Sequence, residues 1–222
     1  MRAYKDAITG DTAPKVGRYP IATGTAVVAG QPVVITNGVV VAAAVDATAA
    51  ILGVAAESHS GSSTSIYQSD FDLTINVYDN PAQIFEVNAP QITATSGSTT
   101  TIVATGLDAF ADDAFNYGKA KLISKVAGST NTDALNTVYT ISDYEASSNT
   151  LTINTAVGAV TAGDIFEIYP PLMFATFEFD STVQYIDLSG DDGTMFKVVG
   201  YDTKRGTVQL MPTLHLFGNK YA

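Results

Sequence analysis

Residues 24–57, GTAVVAGQPVVITNGVVVAAAVDATAAILGVAAE, decide the fold, because short valine-rich runs alternate there with turn residues. Asn37-Gly38 stands between the runs at 33–35 and 39–41. Both residues tolerate positive φ angles, so the pair is typical of a tight hairpin turn between two strands. Residues 26–28 predict a further strand before the hairpin. The stretch contains no cysteine, histidine or clustered carboxylates, so it indicates a scaffold rather than a reactive site.

Alternation of apolar and polar residues with a period of two continues through most of the chain. Leu73, Ile75 and Val77 alternate with polar residues, as in a half-buried strand. Residues 195–201 and 207–211 predict a hairpin close to the end of the chain. We therefore predict an all-β protein with little helix.

One segment has a helical pattern instead. In residues 107–117, LDAFADDAFNY, the side chains of Leu107, Phe110 and Phe115 would lie near one face of a short helix. Asp108 stands early enough in this segment to interact favourably with the positive N-terminal end of such a helix. We expect one to three helical turns here.

Changes in composition divide the chain into three parts. Residues 1–23 carry glycines and prolines without a period and are interpreted as an extended arm. Residues 24–103 and 171–222 are predicted to form one domain, with residues 104–170 inserted as a second β module. The polar stretch at 93–101 is interpreted as a linker or mobile loop tip between them.

The charge balance argues against nucleic acid as a partner. Acidic residues number 22 against 11 basic ones, which gives a net charge of −11. Phosphate binding needs a basic patch, and the densest basic cluster, Lys119, Lys121 and Lys125, is typical of a solvated strand face. The longest apolar run, residues 39–45, is too short to span a bilayer, so we expect no membrane partner.

The side chains that carry chemistry are sparse. The chain has two histidines, His59 in a polar loop and His215 in a predicted final strand at 214–217, on its polar face. Neither has the spacing of a metal site or a catalytic dyad. The acidic runs Asp112-Asp113 and Asp191-Asp192 lack the EF-hand pattern, although a loosely bound surface cation stays open. We predict a protein that is not an enzyme and that has no cofactor.

Several motifs are similar to those of a known family. The chain resembles the small β-barrel or tulip domain of tailed-phage capsid decoration (head cement) proteins at residues 30–34, 38–40, 50–57 and 75–87. Its middle part is similar to β modules that recur in phage structural proteins, at residues 141–144, 150–153 and 162–168. The resemblance covers most of the chain from about residue 20, and the inserted module departs from a minimal decoration protein.

The resemblance implies a function as well as a fold. It implies a tulip-like domain with an inserted β domain, in a structural virion protein that binds the outer surface of a phage capsid and stabilises it. The implied partners are the major capsid protein and further copies of the chain, as a trimer. Two alternatives stay open: another phage structural subunit such as a tail tube, and a head-fibre or adhesin-like glycan-binding module. The aromatic candidates for glycan binding are Tyr117, Tyr139, Tyr144 and Tyr169.

The predicted attachment site lies in the first nineteen residues, which hold four of the eleven basic residues. These are Arg2, Lys5, Lys15 and Arg18. The segment contains only two acidic residues, Asp6 and Asp11, so we expect it to be drawn to an acidic neighbour. Strand pairing would supplement this attraction. The competing interpretation is a terminus whose charges have no role.

Overall fold

The computed structural model describes residues 1–6, 13–22, 24–43, 50–60, 73–107, 110–154, 156, 158–172, 178–179, 186–187, 196–213 and 215–217. Strands account for 49% of these residues and helix for 2%, which confirms the all-β prediction. The elements are β1 (Arg2–Asp6), β2 (Gly17–Pro20), β3 (Pro32–Thr36), β4 (Val39–Ala42), β5 (Gly53–Ala55), β6 (Thr74–Tyr78), β7 (Gln83–Asn88), β8 (Gln91–Thr93), β9 (Ser96–Gly97), β10 (Thr101–Val103), β11 (Lys119–Ser124), β12 (Val138–Glu145), a 3-10 turn (Ala146–Ser148), β13 (Thr150–Ile153), β14 (Ile165–Tyr169), β15 (Glu178–Phe179), β16 (Ile186–Asp187), β17 (Phe196–Asp202) and β18 (Thr207–Pro212).

A five-stranded sheet, in the order β2-β6-β5-β3-β4, contains the hairpin predicted at the start. Asn37 and Gly38 have φ angles of 52° and 83°, as the tight turn requires. A parallel bridge between Ile21 and Val40 brings the two outer strands together, so the sheet curls on itself. Its interior is an apolar cluster of buried residues: Ile21, Val27, Val33, Val40, Leu52, Ala55, Leu73, Ile75 and Val77.

The strand predicted at 26–28 is reduced to a single antiparallel bridge between Val27 and His59. A turn begins immediately after it, because the Gln31 N–H donates to the carbonyl oxygen of Val28. The Gln31 side chain in turn accepts a hydrogen bond from the Val28 N–H at 3.1 Å. These contacts occupy the backbone groups that a longer strand would pair, so the prediction was wrong about the strand's length.

A second sheet has four strands, in the order β1-β7-β18-β17. The hairpin of β17 and β18 is confirmed, with Phe196 opposite Pro212 and Asp202 opposite Thr207. Both β1 and β2 pair with strands of the body, so the described parts of residues 1–23 are not a separate arm. The alternation that reveals a strand is hidden there by a bulge between Ala3 and Lys5.

A seven-stranded sheet, in the order β8-β14-β11-β12-β13-β10-β9, contains the predicted middle module. It also contains β8, β9 and β10, so residues 93–101 are not a linker, and the boundary predicted at residue 104 falls inside one sheet. Threonine is a good strand former, so a polar stretch of this composition can pair with β13 through Thr101 and Thr152.

Residues 110–117 form bends and turns rather than the predicted helix, and Asp108 lies outside the described residues. Asp113 and Tyr117 have φ angles of 68° and 69°, which a right-handed helix does not allow. Their N–H groups donate to the carbonyl oxygens of Tyr144 and Ile141, so backbone bonding goes to β12. The apolar part of the prediction holds, because three side chains are buried: Leu107, Phe110 and Phe115.

The predicted final strand is also shorter than expected. His215 bridges Ile51, and a turn follows at Leu216 and Phe217, while Leu214 lies outside the described residues. His215 is 5% exposed, whereas Leu216 and Phe217 are 47% and 57% exposed. His215, which was predicted to lie on the polar face, is therefore buried.

One apolar core joins the four-stranded and seven-stranded sheets. Phe85 and Phe196 of the four-stranded sheet belong to the same buried cluster as Leu122 and Phe166 of the seven-stranded sheet. The rings of Tyr169 and Tyr201 meet across the two sheets at 5.7 Å between centroids. Residues 104–170 were predicted to form a module of their own, whereas their core continues into the four-stranded sheet.

Candidate functional site

A polar cavity of about 510 Å³ opens on the four-stranded sheet. Strands β1, β7 and β18 and the turn between β17 and β18 position its walls. The lining residues are Met1, Arg2, Glu86, Val87, Asn88, Arg205 and Thr207. Antiparallel pairing places Arg2 opposite Glu86, and Asn88 opposite Thr207, so residues distant in sequence meet on one face.

Glu86 lies in the wall of this cavity, and its side chain is 1% exposed. Its Oε2 atom accepts hydrogen bonds from Nε and Nη2 of Arg2 at 3.0 Å and 2.5 Å. Its Oε1 atom accepts a hydrogen bond from Nη1 of Arg205 at 3.3 Å. Both oxygens of a buried carboxylate are thus satisfied by charged donors, which is what makes its burial tolerable.

The two arginines remain accessible from the cavity, because their side chains are 61% and 46% exposed. The backbone that carries Arg205 is held by Asp202, whose Oδ1 accepts hydrogen bonds from the N–H groups of Lys204 and Arg205 at 2.9 Å and 3.1 Å. This cap fixes the turn and hence the direction from which the guanidinium reaches Glu86.

Thr207 is a second unusual feature of the cavity wall. The residue is 6% exposed, and its Oγ1 atom is buried without a hydrogen-bond partner among the described residues. Buried hydroxyl groups normally have a partner, and one without a partner points to a ligand or an ordered water.

The four basic residues predicted for partner binding do not come together. Arg2 lines the cavity, and Lys5 lies in β1 opposite Ile84. Lys15 is exposed between β1 and β2. Arg18 lies in β2, where its Nε donates to Thr74 Oγ1 at 2.5 Å. Only Arg2 of the four therefore belongs to the cavity.

Sequence reasoning did not identify Glu86, Arg205 or Thr207. Glu86 and Arg205 are 119 positions apart, so no spacing rule could connect them. One signal was present: Glu86 is a carboxylate within the apolar run of residues 84–87. A charge in the middle of a buried strand indicates a paired ion, but it does not identify the partner.

Only Lys121 of the lysine cluster departs from the predicted solvated face, because Lys125 is exposed and Lys119 is half-buried. Lys121 is 6% exposed, and its Nζ lies 2.8 Å from Oε2 of Glu167. Lys125 donates through Nζ to the backbone oxygens of Asn131 and Asp133 at 3.2 Å and 3.0 Å. These lysines hold strands and a loop in place, because adjacent sheet strands bring acceptors to a face that sequence periodicity predicts to be solvated.

The cation candidates have structural partners. Asp112 Oδ1 accepts a hydrogen bond from the Ala146 N–H at 2.8 Å, and Asp113 Oδ1 accepts one from Asn116 Nδ2 at 2.6 Å. Asp191-Asp192 lies outside the described residues. Within the part of the chain that is described, no group of three or more histidine, aspartate or glutamate side chains could hold a metal ion.

Three of the four candidate tyrosines are packing residues. Tyr139, Tyr144 and Tyr169 are at most 1% exposed. Burial, together with a hydrogen bond from Tyr169 to Glu167, raises the pKa of the Tyr169 hydroxyl. Tyr117 differs, because 83% of it is exposed.

Comparisons with known proteins identify no relative of this chain. No family model, curated protein or solved structure matches it. Among the residues described above, no helix has the length and apolar character needed to cross a membrane.

Proposed function

We propose that this chain is a structural virion protein that binds the outer surface of a phage capsid and stabilises the shell. The observation that carries the proposal is the place of β1, the strand that contains Arg2 and Lys5. It is the outermost strand of the four-stranded sheet, and no described strand pairs with its other side. An outer strand can pair with a strand of a partner, here the major capsid protein.

Charge supports the same contact. The first nineteen residues hold four of the eleven basic residues in a chain whose net charge is −11. An acidic capsid surface would attract this segment and be repelled by the rest of the chain, which orients the encounter. A protein that touches several shell subunits at once binds the assembled shell best, and so it stabilises the assembly by linkage.

The test is charge reversal rather than removal of the segment. Deleting residues 1–18 would remove β1 and half of β2, so loss of binding would only report misfolding. Lys5→Glu combined with Lys15→Glu keeps every residue of both strands in the chain. The expected result is about tenfold weaker occupancy of stripped capsids at low salt, with the difference shrinking at high salt because ions screen exposed charges.

Lys204→Glu is the matched control, since Lys204 is an exposed lysine on the turn between β17 and β18. It should leave occupancy unchanged. Undiminished occupancy of the double variant at both salt concentrations would eliminate β1 and its neighbourhood as the contact. Mass spectrometry of purified virions tests the class of protein itself: hundreds of copies per particle support decoration, and absence from the particle contradicts it.

Tyr117 supports a second candidate, a glycan-binding module, because exposed aromatic rings stack on sugar faces. Tyr117→Ala would abolish binding to a glycan array under this alternative and leave capsid occupancy unchanged. If the wild-type protein binds no glycan on the array, the glycan-binding role of Tyr117 is contradicted. Tens rather than hundreds of copies per virion would then indicate a fibre protein that does not recognise glycans.

A further inference from the structure

The cavity between β1, β7 and the β17–β18 turn carries an excess of positive charge. Arg2 and Arg205 contribute two guanidinium groups, and Glu86 neutralises one of them. No other charged side chain belongs to the described lining of the cavity. The lining side chains therefore carry one net positive charge, in a chain whose net charge is −11.

Hydrogen-bond donors also remain in excess. A guanidinium carries five N–H donors in a planar arrangement. Arg2 uses two of them on Glu86, and Arg205 uses one. The remaining donors belong to side chains that are about half exposed, so they can reach a ligand. Two N–H groups of one guanidinium match the two oxygens of a carboxylate or a phosphate.

Thr207 adds an independent sign of a ligand. Its hydroxyl is buried in the cavity wall without a partner, next to Asn88, and a hydroxyl in that condition lowers stability until an acceptor is supplied. The volume of about 510 Å³ is larger than a bare ion needs. It falls within the range of roughly 300–1,000 Å³ that small-molecule sites occupy.

We propose that this cavity binds the oxyanion group, carboxylate or phosphate, of a small molecule. Arg2 and Arg205 donate hydrogen bonds to the oxyanion through the N–H groups that are not bonded to Glu86. Glu86 orients both guanidinium groups. Thr207 donates its otherwise unpaired hydroxyl to the ligand. The proposal does not depend on the capsid function, since it concerns the face of the sheet rather than the outer side of β1.

Isothermal titration calorimetry with the full chain tests it, using inorganic phosphate in one arm and succinate in the other. Sodium chloride keeps the ionic strength constant in both arms. Saturable binding of either probe is expected, and the tighter probe identifies the preferred group. Arg205→Gln should weaken that binding about tenfold, because it removes the charge and most of the donors. Lys204→Gln, the same charge change at the adjacent residue, should alter the Kd less than about twofold.

Thr207→Val separates a ligand role from a structural one. Removing an unpaired buried hydroxyl should raise the melting temperature of the ligand-free protein, and the same change should weaken probe binding severalfold. This variant also decides the question if Arg205→Gln fails to fold. The proposal is overturned if neither probe shows saturable binding at up to tens of millimolar. It is overturned equally if Lys204→Gln weakens binding as much as Arg205→Gln, or if Thr207→Val leaves the Kd unchanged.

Discussion

Glu86 joins three separate pieces of chain at the level of a single residue. Its carboxylate is buried and receives Arg2 from β1 and Arg205 from the β17–β18 turn. Both arginines are partly exposed, so solvent compensates them if the carboxylate is lost. Removing an arginine, which leaves the buried carboxylate without a charged donor, should therefore destabilise the protein more than removing the carboxylate, which leaves a partly solvated arginine.

The first prediction concerns Glu86→Gln, which keeps the shape of the side chain and removes its charge. Two charge-assisted hydrogen bonds become weaker and one amide hydrogen meets a guanidinium, so unfolding free energy should fall by about 1–3 kcal/mol. Urea denaturation followed by circular dichroism measures this loss. Glu145→Gln, an exposed carboxylate on β12, is the control and should change stability by less than about 0.5 kcal/mol.

The second prediction concerns His215. Burial lowers the pKa of its imidazole from the ordinary value of 6.5, against a smaller opposing effect of Asp79. The unfolded chain then binds a proton that the folded chain does not, so stability is fully present above about pH 6.5 and falls as the pH drops below it. Thermal unfolding between pH 7.5 and pH 5 should show a smaller decline for His215→Asn than for the wild-type protein. Parallel declines would remove His215 as a cause of acid sensitivity.

Strand β5 shows how closely two elements can approach. A Cβ atom on Gly53 would lie 2.0 Å from the carbonyl oxygen of Tyr78 in β6, the strand that pairs with β5. Backbone cannot move away as a flexible side chain could, so glycine is required at this position. Because Gly53 has no side chain, the short strand at 53–55 can pair with β6 inside the curled sheet.

The third prediction follows from that contact. Gly53→Ala should lower the unfolding free energy by several kcal/mol, of the order of an overpacked core substitution or more, or prevent folding. Gly38→Asn is the control, because its Cβ meets nothing within 4 Å and asparagine tolerates the positive φ angle there. Melting temperatures of both variants decide it, and a Gly53→Ala protein as stable as the control would contradict the packing argument.

At the scale of the whole molecule, residues 91–169 leave the body and return to it at one place. Strands β8 and β14 begin and end this segment, and they pair with each other, with Gln91 opposite Glu167. An insertion needs ends that lie close together, and this pairing supplies them. The segment also carries most of the large shared core, although Tyr169 packs on Tyr201 outside it.

The fourth prediction compares two fragments. A fragment of residues 89–171 contains all seven strands of its sheet and should unfold cooperatively on its own. A fragment of residues 104–170 lacks β8, β9 and β10, exposes the core residues that they cover, and should be unfolded or aggregated. Circular dichroism and thermal melts test both. A folded shorter fragment would restore the boundary predicted from sequence.

Local order is what the sequence by itself determined. Period-two alternation and turn residues are properties of neighbouring residues, so the hairpins β3–β4 and β17–β18 and the all-β class were predictable. Tertiary structure decided which strands pair at long range, because alternation marks a strand without naming its neighbour. It also decided that residues 110–117 form turns rather than a helix, because the N–H groups of Asp113 and Tyr117 donate to carbonyl oxygens of β12.

The residues of the cavity also differ in whether the sequence alone could identify them. Arg2 was a candidate from the charge of the first residues, and nothing in the sequence linked it to Glu86, 84 positions away, or to Arg205. Antiparallel pairing of β1, β7 and β18 brings these side chains to one face, and the burial of Glu86 then makes a charged partner necessary for its carboxylate. Charge and periodicity can be read from neighbouring residues in the sequence. The partner of a buried charge depends on which strands distant in sequence lie side by side, so it is known only from the tertiary structure.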